Sequence, residues 1–88
     1  MNKDKTETIA FKSEEVRKEN IKATLSAVSQ ALQERGYNAV NQISGYLISN
    51  DPAYISSFKN ARSIIQSIER YEIIEELVNA YLKENDEK

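Results

Sequence analysis

The sequence predicts an all-α fold, a compact bundle of four or five short helices, on three observations. Apolar residues recur every three or four positions in segment after segment. Residues suited to starting and stopping helices, such as Ser13, Gly36 and Asn38, stand where those periodic segments begin and end. The many β-branched residues lower helix propensity only mildly, so the 3.6-residue period outweighs them. With 88 residues the chain has room for one small domain. Such a domain buries only roughly 60–65% of its unfolded surface, which makes a partner subunit a natural source of stability.

The first helix is expected over about 14–35. Ile21, Leu25, Val28 and Leu32 share a face, and Val16 extends it. Ser13 offers a hydroxyl to a free amide of the first turn, and Glu14 and Glu15 sit at the positive end of the helix dipole. Arg35-Gly36 reads as its stop, glycine supplying the left-handed residue. A second helix, about 39–49, is capped by Asn38 and carries Val40, Ile43 and Leu47. Gly45 inside it costs about 1 kcal/mol relative to alanine and marks the close approach of another helix backbone. Ser49-Asn50-Asp51-Pro52 is a turn, because proline biases Asp51 away from helix.

Tyr54, Ile55 and Phe58 are too apolar for a free loop and read as an ordered connection with one helical turn. Ala61, Ile64, Ile65 and Ile68 mark a third helix at about 60–69, with Asn60 as its cap. The last helix, about 71–84, carries Ile73, Ile74, Leu77, Val78, Tyr81 and Leu82, and no clear break separates it from the third. Its apolar stripe is broader than a coiled-coil seam. That is more apolar face than one small subunit covers, and a symmetric homodimer is the expected solution. Tyr37, Tyr46 and Tyr54 are expected to plug helix junctions, and Tyr81 to join the core stripe. The chain thus divides into a flexible tail at 1–12, a helical domain at 13–84 and a short tail at 85–88.

Composition removes most chemistry. Without Cys or His there is no disulfide, thiolate, imidazole base or ordinary zinc site. A helical di-metal carboxylate centre needs Glu-x-x-His elements, also absent. Glu72 and Glu76 share a face, but a solvated face explains them better than a catalytic pair. There is no nucleophile elbow, phosphate loop or dinucleotide fingerprint. The expectation is a non-enzyme with no cofactor and no metal. Apolar runs of two or three residues are far short of the roughly 20 a membrane span needs. The N-terminus also lacks the apolar core of a secretory signal, so a cytoplasmic location without membrane insertion is expected.

Charge is uneven. Residues 71–88 carry six acidic side chains against two lysines, a net −4, whereas residues 1–12 sum to +1. Arg62 and Arg70, at i and i+8 with Gln66 between them, form the candidate partner-binding face on the third helix. Thr6 and Thr8 flank Glu7 in a segment without apolar periodicity and are the candidate phosphorylation sites, because a hydroxyl on a mobile strand can enter a kinase cleft. The alternative from another class is a small helix-turn-helix DNA-binding regulator. Two arginines without supporting lysines make a weak phosphate footprint, so no nucleic-acid partner is expected.

Several ordered words point further. Gly36-Tyr37-Asn38, Asn41-Gln42-Ile43, Gly45-Tyr46, Asp51-Pro52-Ala53-Tyr54, Ala61-Arg62, Glu69-Arg70, Glu72-Ile73-Ile74-Glu75-Glu76-Leu77-Val78 and Tyr81-Leu82 resemble, in order and spacing, the IreB family of small bacterial regulatory phosphoproteins. Thr8-Ile9-Ala10-Phe11 is similar to that family's tail, where a threonine precedes an aromatic by three. The resemblance implies a cytosolic helical homodimer, phosphorylated at the tail threonine by a membrane Ser/Thr kinase with extracellular PASTA domains and reset by a cognate phosphatase. It further implies control of peptidoglycan precursor synthesis and β-lactam tolerance through a regulatory or proteolytic-adaptor partner, with a link to Clp-dependent turnover of the first committed precursor enzyme. The chain departs from the family pattern at Ala39, Asn50, Ser56 and Tyr71. At Ser57 and Gln66 relatives often carry arginine, so only Arg62 and Arg70 of that basic face are basic in this chain.

Titration with duplex DNA at low salt separates the two classes. The adaptor reading predicts weak binding, and a tight, steeply salt-dependent affinity would favour the DNA regulator.

Overall fold

A computed structural model describes the backbone of residues 2–86 and the side chains of residues 13–85. The elements are α1 (Asn2–Glu34), α2 (Ala39–Ser49), two single 3-10 turns (Pro52–Tyr54 and Phe58–Asn60), α3 (Ala61–Ile65) and α4 (Arg70–Asp86). No strand occurs among the described residues, so the all-α class holds. α1 begins at Asn2 instead of about residue 14. Segment 1–12, expected as a flexible tail, continues the helix of α1 from Asn2, so Ser13 lies inside the helix and does not cap it; the side chains of Thr6 and Thr8 lie outside the described residues. α4 runs two residues past the expected end at 84.

The helix ends obey local chemistry. After α1, Gly36 adopts φ +82°. Its amide donates to the Gln33 carbonyl at 2.9 Å, and the Tyr37 amide donates to Leu32 at 2.9 Å. This paired arrangement satisfies the last carbonyls of the helix and turns the chain sharply. At the start of α2 the Asn38 side chain accepts from the Asn41 amide at 3.0 Å, the cap read from the sequence. Asn50 ends α2 in the left-handed conformation at φ 62°. The Ser49 hydroxyl donates to the Gly45 carbonyl at 2.7 Å and accepts from the Asp51 amide at 3.0 Å. Asp51 then accepts from the Ala53 amide at 3.0 Å and starts the Pro52 turn.

Two expectations are corrected. Gly45 is close to a ring instead of a helix backbone: a Cβ there would lie 2.5 Å from Cδ1 of Tyr54. The third helix is five residues long, not ten. Asn60 does not cap it by side chain, because Lys59 and Asn60 both take left-handed conformations (φ 51° and 63°) to turn the chain into it. At its far end the Ser67 amide and hydroxyl both donate to the Ile64 carbonyl, at 3.1 and 2.7 Å. This tight turn separates α3 from α4, a break that the unbroken apolar pattern concealed.

The core comprises Ile21, Val28, Ala31 and Leu32 of α1, Ala39 and Tyr46 of α2, Ile55 of the connection, Ala61 and Ile65 of α3, Ile68 of the turn, and Ile73 of α4. α3 packs along α1, and no buried side-chain N or O among the described residues lacks a partner. Tyr46 plugs a junction as expected, whereas Val16, Tyr37, Val40, Tyr54 and Tyr81 are exposed. Tyr81 therefore lies outside the core in which the stripe had placed it.

Gly45→Ala must displace the Tyr54 ring and the turn that carries it. The overpacking cost of about 1–3 kcal/mol is set against the roughly 1 kcal/mol that alanine gains in a helix, so a net loss of up to about 2 kcal/mol is expected in urea unfolding, and a raised midpoint would mean that the ring moves aside freely.

Candidate partner-binding surface

The connection between α2 and α3 is fastened from three sides, and one of the two candidate arginines does part of that work. The Gln42 side chain accepts from the Ser56 amide at 2.9 Å. The Tyr54 ring lies against Gly45. Arg62 donates from Nε to the Ile55 carbonyl at 2.8 Å. Arg70, the first residue of α4, donates from its guanidinium to the Leu47 carbonyl in the last turn of α2. Leu47 lies among the terminal carbonyls that a helix leaves unpaired, so a cation there is favoured by both hydrogen bonding and the helix dipole. The two arginines do not share a helix face: the turn at 66–69 puts Arg62 on α3 and Arg70 on α4. Both are half-buried and tie sequence-distant segments together. Nothing in a single sequence signals pairings 7 and 23 residues apart, and these internal roles are what sequence reasoning missed.

A second cationic feature closes the end of α1. Lys59 pairs with Glu34 at 2.8 Å. The Phe58 ring lies under Arg35, 4.9 Å from its centroid, and under Lys59, 5.7 Å from it. The charged groups are exposed, so the pairs contribute at most about 1 kcal/mol each.

α4 carries the largest exposed surface of interest. Glu72, Glu75, Glu76 and Asn79, one face at i, i+3, i+4, i+7, line a polar cleft opposite Glu14, Arg17 and Lys18 of α1. The opposite face, Ile74, Leu77, Val78, Tyr81 and Leu82, is 38–65% exposed, and only Ile73 reaches the core. Beside it, Leu25, Ile43, Leu47 and Leu77 line a groove of about 540 Å³ between α1, α2 and α4, with Val40 and Tyr37 at the same opening. Its lining contains no Lys, Arg, Asp or Glu. The surface thus offers apolar side chains with no charged residue in the groove lining. Among the described residues no group of three or more acidic side chains is placed to hold a metal ion. No helix there is long and apolar enough to cross a membrane.

With that surface in place, the comparison with known families is decisive. The model of the IreB regulatory phosphoprotein family matches residues 6–83, most of the chain. This chain belongs to the IreB regulatory phosphoprotein family. The match takes in every element from α1 to α4 and includes both tail threonines. In this IreB-family chain α3 is five residues long and spends the Arg62 Nε on a backbone carbonyl. At five residues α3 is too short to serve as the recognition helix expected of the helix-turn-helix alternative.

Arg70→Ala leaves the Leu47 carbonyl without its cationic donor. A loss of about 1–3 kcal/mol is expected in urea unfolding, together with reduced helicity of α4. Full retention of the unfolding midpoint would show that this contact adds nothing to stability.

Proposed function

We propose that this protein is a non-enzymatic cytoplasmic regulator switched by phosphorylation. A membrane Ser/Thr kinase with PASTA domains modifies Thr8, with Thr6 as the second acceptor, and a cognate phosphatase reverses the modification. The protein, as a homodimer, then acts through protein contacts on peptidoglycan precursor synthesis and β-lactam tolerance. Clp-dependent turnover of a precursor enzyme is the downstream step.

The observation that carries this reading is the family match, which spans the threonine segment and the helical body together. Physical chemistry supports the switch. Phosphate adds about −1.5 to −2 charges and three acceptor oxygens, which takes segment 1–12 from +1 to about −1. Arg62 and Arg70 are the candidate contacts for an acidic partner or for the phosphate itself. A guanidinium has five N–H donors, so a backbone carbonyl leaves others for a second acceptor. A charge-assisted contact of that kind is worth about 1.5–3 kcal/mol.

Incubation with the purified kinase and ATP, followed by phosphopeptide mapping, tests the switch. Phosphate on Thr8, with Thr6 minor and loss of the signal in Thr8→Ala, is the expected result. Modification confined to residues beyond 12 would overturn it.

A further inference from the structure

We infer that residues 51–60 form a strap that opens as one unit while α1 and α2 stay folded, with Gln42 and Arg62 as its latches. This rests on the reading of Arg62 as a partner contact and adds what controls it, because the strap sets how much of that guanidinium a partner meets. The first observation is where the backbone is strained. Among the described residues the non-glycine residues at positive φ are Asn50, Lys59 and Asn60, at 62°, 51° and 63°. They bracket the segment, one just before its start and two at its end. Left-handed residues other than glycine are uncommon and persist where surrounding contacts enforce them. Their placement marks two hinges, at which a change of φ and ψ swings everything between them.

The second observation is how the segment is held. Its own backbone hydrogen bonds are local: the Tyr54 amide donates to Asp51 at 3.1 Å, Ile55 to Pro52 at 2.9 Å and Asn60 to Ser57 at 3.0 Å. Single turns of this kind do not persist alone in water, so their amides report whether the segment is seated. Seating depends on side chains. Ile55 is fully buried, Gln42 accepts from the Ser56 amide at 2.9 Å, and Arg62 Nε donates to the Ile55 carbonyl at 2.8 Å. The Lys59–Glu34 pair at 2.8 Å is exposed and adds little. A segment attached at so few points opens more readily than a helix packed along its length. The latch is also the contact. Closed, the strap occupies Arg62 Nε and fixes the guanidinium plane; open, it releases all five N–H donors. Gln42 acts through the Ser56 amide and the adjoining Ile55 carbonyl, and is a positioning residue for Arg62.

Native-state hydrogen exchange of the full isotope-labelled chain in low urea tests the strap. The Tyr54, Ile55, Ser56 and Asn60 amides should exchange through one common opening, at least about tenfold more populated than the opening that exposes the Leu25 and Val28 amides of α1. Equal openings for the two sets, with equal urea dependence, would mean that the segment comes apart only with the helices, and would overturn the inference. Gln42→Ala should raise the exchange of all four strap amides and of the Arg62 Nε–H by one factor, about threefold or more. Gln42→Glu, which keeps an acceptor oxygen, should hold them near the wild-type rates. A change confined to the Ser56 amide would overturn the single unit and the positioning role together. Where Gln42→Ala fails to fold, the wild-type exchange pattern decides by itself. No partner enters these measurements, so a failed strap leaves the partner-contact reading of Arg62 standing, and an Arg62 that no partner touches leaves the exchange result standing.

Discussion

Burial of Ile55 is the constraint around which this chain is arranged. The residue is completely inaccessible, yet it lies in a connection with no helix of its own, between two single 3-10 turns. Backbone there has no helical partners, and each buried polar group must find one elsewhere. Arg62 takes the Ile55 carbonyl, the Pro52 carbonyl accepts from the Ile55 amide at 2.9 Å, and Gln42 takes the Ser56 amide. Gly45 gives the room in which Tyr54 lies flat beside the same connection. Sequence, cap chemistry and packing thus converge on one side chain of the buried core.

Once Ile55 fills the centre, the remaining chain has little interior left to occupy. α3 is only five residues long, and α4 buries a single side chain, Ile73, in the core. A small domain has this difficulty in general: surface grows faster than core as length falls. The apolar stripe of α4 is where the shortage shows.

Much of the fold was legible in the sequence because its signals are local. Asn38, Gly36 and the Asp51-Pro52 pair each act within four residues, and each does what its chemistry dictates. The bounds of α2 follow from them directly. The α3–α4 break was not legible: Ile64, Ile65, Ile68, Ile73 and Ile74 continue a helical rhythm through the turn, because Ile68 is buried from a non-helical position. Gly45 announced a close approach but not of what, since a ring nine residues on leaves no mark at position 45. The arginines show the same limit. Their charge suggested an outward face, while their hydrogen bonds to Ile55 and Leu47 depend on contacts that only the folded chain creates. The broad stripe of α4, by contrast, was legible as surplus apolar face, and its exposure in the subunit is what that surplus implies.

Isotope-filtered NMR on a mixed labelled and unlabelled sample measures directly which methyl groups meet across copies. Contacts of the Val78 and Leu82 methyls of one copy with methyls of the other are predicted. Intermolecular contacts confined to other residues, or none from α4 at concentrations where the protein is dimeric, would contradict the account.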